Sequence, residues 1–229
     1  MVEDVAKDVA KDVAKDVAKD ETKDIIKNVT KDKEEENKKD QELYQRFLDG
    51  DKNALNELMI KYSKQLIYFT QKSVKDIYAA EDVSQEVFVY LMLHKEVYNF
   101  KYTFSTYLYT IAKSRANNYI KSRKRVNFIS EDEERIITYP KNIEEELFKS
   151  DESMMVRDAM KKLRPEYQQV LYLVNFERLS YEEAGVVMGK SSIQIKALVH
   201  NAKKRLKVFL EEEMKEEVEH SEINGGIYK

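Results

Sequence analysis

The stretch Asp82-Val83-Ser84-Gln85-Glu86-Val87-Phe88-Val89-Tyr90-Leu91 carries apolar residues at 83, 87 and 91. Recurrence at every fourth position stacks them along one side of a helix and leaves Asp82, Gln85 and Glu86 within about 100° of one another on a different side. A strand would alternate its faces every second residue. The helical pattern continues outward in both directions. Upstream, Leu43, Phe47, Ala54, Leu55, Leu58, Met59, Tyr62, Leu66 and Phe69 predict helix from Gln41 onward, broken at Asp49-Gly50-Asp51, a turn signal. Downstream, the pattern lapses from Asn99 to Thr103. Phe104-Ser105-Thr106 then leads into a third long helix carrying Leu108, Ile111, Ala112, Tyr119 and Ile120. With 5 glycines and 2 prolines in 229 residues, little interrupts helix, and the chain is expected to be all-α.

Composition excludes several chemistries. Without cysteine there is no disulfide, no thiolate metal site and no cysteine nucleophile. His94, His200 and His220 are too scattered to suggest metal ligation, so neither a metal nor a cofactor is expected. Adjacent carboxylates such as Glu81 and Asp82, or Glu182 and Glu183, point apart on a helix, and no glycine-rich phosphate loop accompanies them. The reading is therefore of a binding protein and not an enzyme. No apolar run approaches the ~18 residues of a membrane span, and the charged N-terminus lacks a signal-peptide core, so a cytoplasmic protein without stable membrane insertion is expected.

A net charge of -3 looks unfavourable for binding nucleic acid until it is resolved along the chain. Lys101 to Arg125 holds seven basic residues and no acidic one, and Ser153 to Leu210 holds eleven basic against five acidic. These two basic segments alternate with acidic ones. The reading divides the chain into a repetitive charged arm (1–39), a helical domain (40–126), an acidic flexible linker containing Pro140 (127–152), a second helical domain (153–210) and an acidic tail (211–229). In the arm, Asp-Val-Ala-Lys repeats from Asp4. A period of four drifts around a helix of 3.6 residues per turn, so the arm is expected to be disordered or partly helical.

In the second domain Pro165 is expected to open a helix that runs through Phe176, since its missing N–H would be unpaired at a first helical position anyway. Ser180-Tyr181-Glu182-Glu183 has the capping-box pattern, and Ser191-Ser192-Ile193-Gln194 repeats it. Two short helices separated by Met188-Gly189-Lys190 predict a helix-turn-helix, whose second helix enters the major groove of DNA. There Ile195, Val199, Ala202 and Leu206 form one ridge. Gln194, Ala197, Asn201 and Lys204 face outward, flanked by Lys196, His200 and Lys203. In the first domain the basic helix is interleaved with Tyr102, Phe104, Tyr107, Tyr109 and Tyr119. Aromatic faces stack unpaired bases while cations follow the phosphates, which suits single-stranded DNA. Tyr109 is expected in the core.

Asp82-x-x-Gln85-Glu86-x-Phe88-x-x-Leu91, followed by Phe104-Ser105-Thr106-Tyr107-Leu108-Tyr109-x-Ile111-Ala112, resembles the second conserved domain of the sigma-70 family. Leu163-Arg164-Pro165 and Leu179-Ser180-Tyr181-Glu182-Glu183 through Leu206 resemble the family's fourth domain, and the absence of room for the third is the pattern of its extracytoplasmic-function (ECF) group. The resemblance implies core RNA polymerase and promoter DNA as partners, with an inhibitory anti-sigma protein as a further expectation. It implies that Asp82, Gln85 and Glu86 bind polymerase. It assigns Asn99, Lys101, Tyr102, Phe104, Ser105, Tyr107, Lys113, Arg115, Asn118, Lys121 and Arg123 to the minus-ten element, and Ser191, Ser192, Gln194, Lys196, Ala197, His200, Asn201, Lys203 and Lys204 to the minus-thirty-five element. This chain departs from the family at Tyr107, where Trp is frequent, at Leu198 and Asn201, where Arg is common, and at Gly185 and Lys190, where apolar residues are usual. Weak or unusual minus-thirty-five recognition is expected. A helix-turn-helix regulator acting on duplex DNA without polymerase is the alternative, and it leaves the pattern from Asp82 to Ala112 unused.

Overall fold

The computed structural model describes residues 31–127, 156 and 158–225, and among these every regular element is helical. The arm before 31 and the expected linker beyond Asn127 lie outside the described residues. Helix α1 spans 31–48, so helix begins upstream of the boundary expected at residue 40. It ends in the turn at Gly50, whose φ of 106° suits only glycine. Asp51 then caps α2 (Lys52–Val74) by accepting from the Asn53 amide. A left-handed Lys75 closes α2, and Asp76 caps α3 (Ile77–Leu93) through the amides of Tyr78 and Ala79. After a 3₁₀ turn at Lys95–Val97 and an irregular loop, α4 runs Phe104–Asn127.

A short turn, α5 (158–161), leads to α6 (Pro165–Leu171), which opens on its proline as the sequence suggests. The helix expected to continue to Phe176 widens instead into a π-helical turn over Tyr172–Phe176. Then come α7 (Tyr181–Met188) and α8 (Ser192–Gly225). Both capping boxes form. Ser180 and Glu183 bond reciprocally, and Ser191 and Gln194 do the same, with the Ser191 amide 2.9 Å from Gln194 Oε1 and the Gln194 amide 3.2 Å from Ser191 Oγ.

The departures at Gly185 and Lys190 have a local cause. Gly189 adopts φ 65° to end α7, and the Lys190 amide turns back to bond the Gly185 carbonyl at 2.9 Å. A Cβ on Gly185 would stand 2.5 Å from the Lys190 carbonyl oxygen, so the tight turn needs glycine there. The Lys190 side chain pairs with Glu166 at 3.1 Å.

One apolar cluster runs through both halves of the molecule. Helices α2, α3 and α4 pack together, α6 lies on α2 and α7 on α4. At the centre of the junction the buried Tyr172 ring lies 5.0 Å from Tyr68, 6.2 Å from Phe69 and 6.1 Å from Tyr109. Each such pair adds ~0.5–1.5 kcal/mol beyond the area buried. Tyr109 is fully buried, as expected from the sequence. Gln169 adds polar specificity: its amide nitrogen donates to Ser73 Oγ at 2.6 Å, and its carbonyl oxygen accepts from Lys113 at 2.6 Å.

Candidate nucleic-acid interface

Three surfaces carry the residues singled out in the sequence. The first is on α3. Asp82, Gln85 and Glu86 are exposed while Val83, Val87 and Leu91 are buried, the division that the four-residue spacing predicts. With Val89, Tyr90, Leu93 and His94 they line a cleft of about 430 Å³. Leu93 is 72% exposed there. Arg115, expected among the DNA contacts, lines this cleft, with its guanidinium over the Tyr90 ring at 5.0 Å.

The second surface is the loop before α4 and the start of that helix. Asn99 Oδ1 accepts from the Lys101 amide at 3.2 Å, Phe100 takes a left-handed φ of 59°, and the Tyr98 hydroxyl donates to the Tyr102 carbonyl at 2.8 Å. A bulky residue at positive φ costs about 1–2 kcal/mol, so surrounding contacts must hold it there. Those contacts are aromatic. Phe100 lies 4.6 Å from Tyr98, and Tyr98 stacks on Tyr107 at 5.0 Å with 21° between planes. Phe104, expected to touch the strand, is 0% exposed and sits beneath the loop against Tyr44, Tyr62 and Tyr98. Tyr107 is half-buried, and its hydroxyl is buried without a hydrogen-bond partner among the described residues; burial, with smaller contributions from Tyr44 and Tyr90, pushes its pKa up.

Asn99, Lys101, Asn118, Lys121 and Arg123 are exposed; Tyr102 and Ser105 are half-buried. Lys101 lies over the Tyr102 ring at 5.3 Å, and Arg123 pairs with Asp76 at 3.7 Å. Lys113 is turned inward, to Gln169, and burial lowers the pKa of its ammonium.

The third surface is the first four turns of α8. Ser191, just before the helix, and Ser192, Gln194, Lys196, Ala197, His200, Asn201, Lys203 and Lys204 are all exposed, whereas Ile195, Val199 and Ala202 are buried. This division follows the sequence reading, except that Leu206, the fourth residue of the expected ridge, is only partly buried. Gln194, expected as a base reader, also engages its side-chain carbonyl in the second capping box.

Other contacts at these surfaces gave no sequence signal. Glu183 was legible as a capping residue, yet the same carboxylate also reaches Thr103 Oγ1 at 2.8 Å, Thr106 Oγ1 at 3.1 Å and Lys33 Nζ at 2.9 Å. Burial acts to raise its pKa but is outweighed by the Ser180 amide, Lys33 and Thr103, which hold it down to about 2. Asn37 of α1 accepts from the first amide of α4, at Phe104, at 2.9 Å. These contacts join residues up to 150 positions apart. Among the described residues no cluster suited to a metal ion is present, and no helix is long and apolar enough to cross a membrane.

Two family models match the chain: Sigma-70 region 2 over residues 58–126 and Sigma-70, region 4, over residues 153–206. Similar curated proteins include the RNA polymerase sigma-H factor of Pseudomonas aeruginosa, 29% identical over 66% of this chain and 83% of its own length. RNA polymerase sigma factor YlaC of Bacillus subtilis is 26% identical over 72% of this chain and 97% of its own. The ECF RNA polymerase sigma-E factor of Haemophilus influenzae is 29% identical over 67% and 85%. Among solved structures, the sigma factor RpoE in complex with the anti-sigma factor NepR from Bartonella quintana shares the fold with a TM-score of 0.56 at 19% identity, over 68% of this chain and 96% of that one. CnrH in complex with the cytosolic domain of CnrY has a TM-score of 0.53 at 17% identity, over 76% and 97%.

Proposed function

We propose a division of labour for a chain that belongs to the sigma-70 family of RNA polymerase sigma factors, in its ECF group. It acts with core RNA polymerase and promoter DNA in transcription initiation. In this reading the exposed Asp82, Gln85 and Glu86 face of α3 docks on the polymerase. The loop 99–104 and the outer face of α4 hold the unpaired non-template strand of the minus-ten element, with Tyr107 and Tyr102 offering ring surface and Lys101, Lys121 and Arg123 tracking phosphates. The capped helix-turn-helix presents α8 to the minus-thirty-five element.

The observation that carries this reading is the match to both sigma regions, in order, on one chain. An operator-binding regulator would have no use for the first of them. The full exposure of the α8 face supports the third assignment. Without arginine at 198 or 201, bidentate reading of guanine is absent from those positions, and strand capture is expected to carry more of the promoter choice.

The chain works by binding, with the chemistry of RNA synthesis belonging to the polymerase, and its place of action is the cytoplasm, where that enzyme is. Domain limits of 40–126 and 153–210 go with the reading, as does control by an inhibitory anti-sigma protein. The test is transcription by core polymerase with and without this protein on a promoter library. New, discrete start sites are expected. A chain that binds duplex DNA but neither co-purifies with core polymerase nor creates start sites would overturn the reading.

A further inference from the structure

The Glu183 carboxylate is shared between the two halves of the molecule. Within its own half it closes a capping box, accepting from the Ser180 amide at 2.9 Å and Ser180 Oγ at 3.0 Å. Glutamine serves that role equally well, so the cap does not require the charge. The other half supplies donors suited to an anion. Thr103 and Thr106 give their hydroxyls, and the Lys33 ammonium lies 2.9 Å away with only 21% of its side chain exposed. These groups surround the N-terminal end of α4, where the aligned peptide dipoles favour negative charge, and α4 has no acidic residue of its own in its first turn. Clustered hydroxyls, a lysine and a helix N-terminus are what a phosphate oxygen also seeks.

The position matters as much as the chemistry. Glu182, Glu183 and Ser180 form one wall of a cleft of about 350 Å³ whose other walls include Phe100, Lys101, Tyr102 and Thr103. Lys113, on the same helix, is meanwhile held by Gln169. The junction between the halves therefore engages the loop and α4 while leaving the α8 face exposed.

We propose that Glu183 is an internal competitor for a backbone phosphate of the captured strand, latching the molecule closed over its own capture loop, with Lys33 of α1 as the bolt. The inference rests on the assignment of the loop 99–104 to strand capture made above. A strand that brings its phosphate to Thr103, Thr106 and Lys33 displaces the carboxylate and frees the helix-turn-helix to move away.

The absence of native cysteine allows a direct test on the full chain. Spin labels at Tyr78→Cys and Ile193→Cys, which are 68% and 79% exposed, report the separation of the halves. Glu183→Gln preserves the cap, and circular dichroism verifies that it and Lys33→Glu remain folded. Both variants are expected to shift the distance distribution to longer values. Glu183→Gln is further expected to bind a fluorescein-labelled single-stranded oligodeoxynucleotide more tightly, by about tenfold if ~90% of the parent is closed. That gain should vanish for the same oligonucleotide with a methylphosphonate backbone. Unchanged distances in both variants would overturn the latch. Separation without tighter binding, or an equal gain with the uncharged backbone, would overturn the competition. Failure of the sigma reading itself would appear elsewhere, as absent start sites for the parent chain in transcription, and would leave the label distances as they are.

Discussion

The capture loop and the recognition helix are both assigned to DNA, yet they are built in opposite ways. Around the loop the aromatic residues form part of the core: Phe104 is 0% exposed, Tyr98 is 5% exposed, and Phe100 is held at positive φ against them. On α8 the residues proposed to read DNA stand in solvent above a buried ridge of Ile195, Val199 and Ala202, and a local capping box marks where the helix begins. The difference suits the two tasks proposed for them. Holding an unstacked strand offsets a cost of a few kcal/mol, which requires groups already fixed in place. Reading a duplex groove distorts little, so exposed side chains on a well-capped helix suffice.

The contrast is most severely tested by exchanging weight between the two surfaces. Phe104→Ala should lower folding stability by about 3–5 kcal/mol, as removal of a buried phenylalanine does, whereas Gln194→Ala should cost at most about 1 kcal/mol, the worth of part of a cap. Chemical denaturation of both variants measures this, and equal losses would erase the distinction. A smaller effect is expected from Tyr107→Ala, which removes a stacking surface worth roughly 1–3 kcal/mol per base and so should slow opening of a duplex promoter about 5–150-fold. On a template already unpaired at minus ten the defect should shrink, as read by permanganate footprinting of matched templates. Normal opening by Tyr107→Ala alongside lost promoter choice in Gln194→Ala would make the helix-turn-helix the dominant reader. The mildest expected effect belongs to Lys203→Ala and Lys204→Ala. Each should weaken binding across DNA sequences and flatten the slope of log affinity against log salt by about one, measured in titrations at several salt concentrations.

How much of this was legible beforehand depended on sequence distance. The four-residue ridges of α3 and α8, the caps at Ser180 and Ser191 and the start at Pro165 all rest on neighbours within a turn or two, and the structure agrees with each. Periodicity identifies a buried face but not what buries it. Tyr172 and Gln169 could be read as one side of a helix, yet not as the residues that meet Tyr68, Tyr109 and Lys113 from the other half of the chain. The π-helical turn at Tyr172–Phe176 was hidden for a related reason: no proline or glycine marks it, and it lies where Tyr172 enters the shared core. Phe104 and Lys113 were assigned to DNA because an aromatic or basic residue on a mixed helix has no sequence mark separating inward from outward. Glu183 was half legible, its cap being local and its partners Lys33, Thr103 and Thr106 remote.

Helix α8 does not stop where its reading face ends. It continues as one helix to Gly225, 34 residues in all, and so extends about 51 Å at 1.5 Å per residue. Its distal part, from Glu211 to Glu222, is densely acidic in sequence. If α8 meets DNA as proposed, that continuity has an electrostatic consequence: an approach that lays the acidic stretch along the duplex would be repelled by the phosphates, and an approach that swings it outward would not. Because the two parts share one backbone helix, the repulsion would turn the proposed reading face as well, acting as a rudder on the angle of arrival. Such steering would be strongest in dilute salt and would fade as the screening length contracts to about 8 Å at physiological ionic strength.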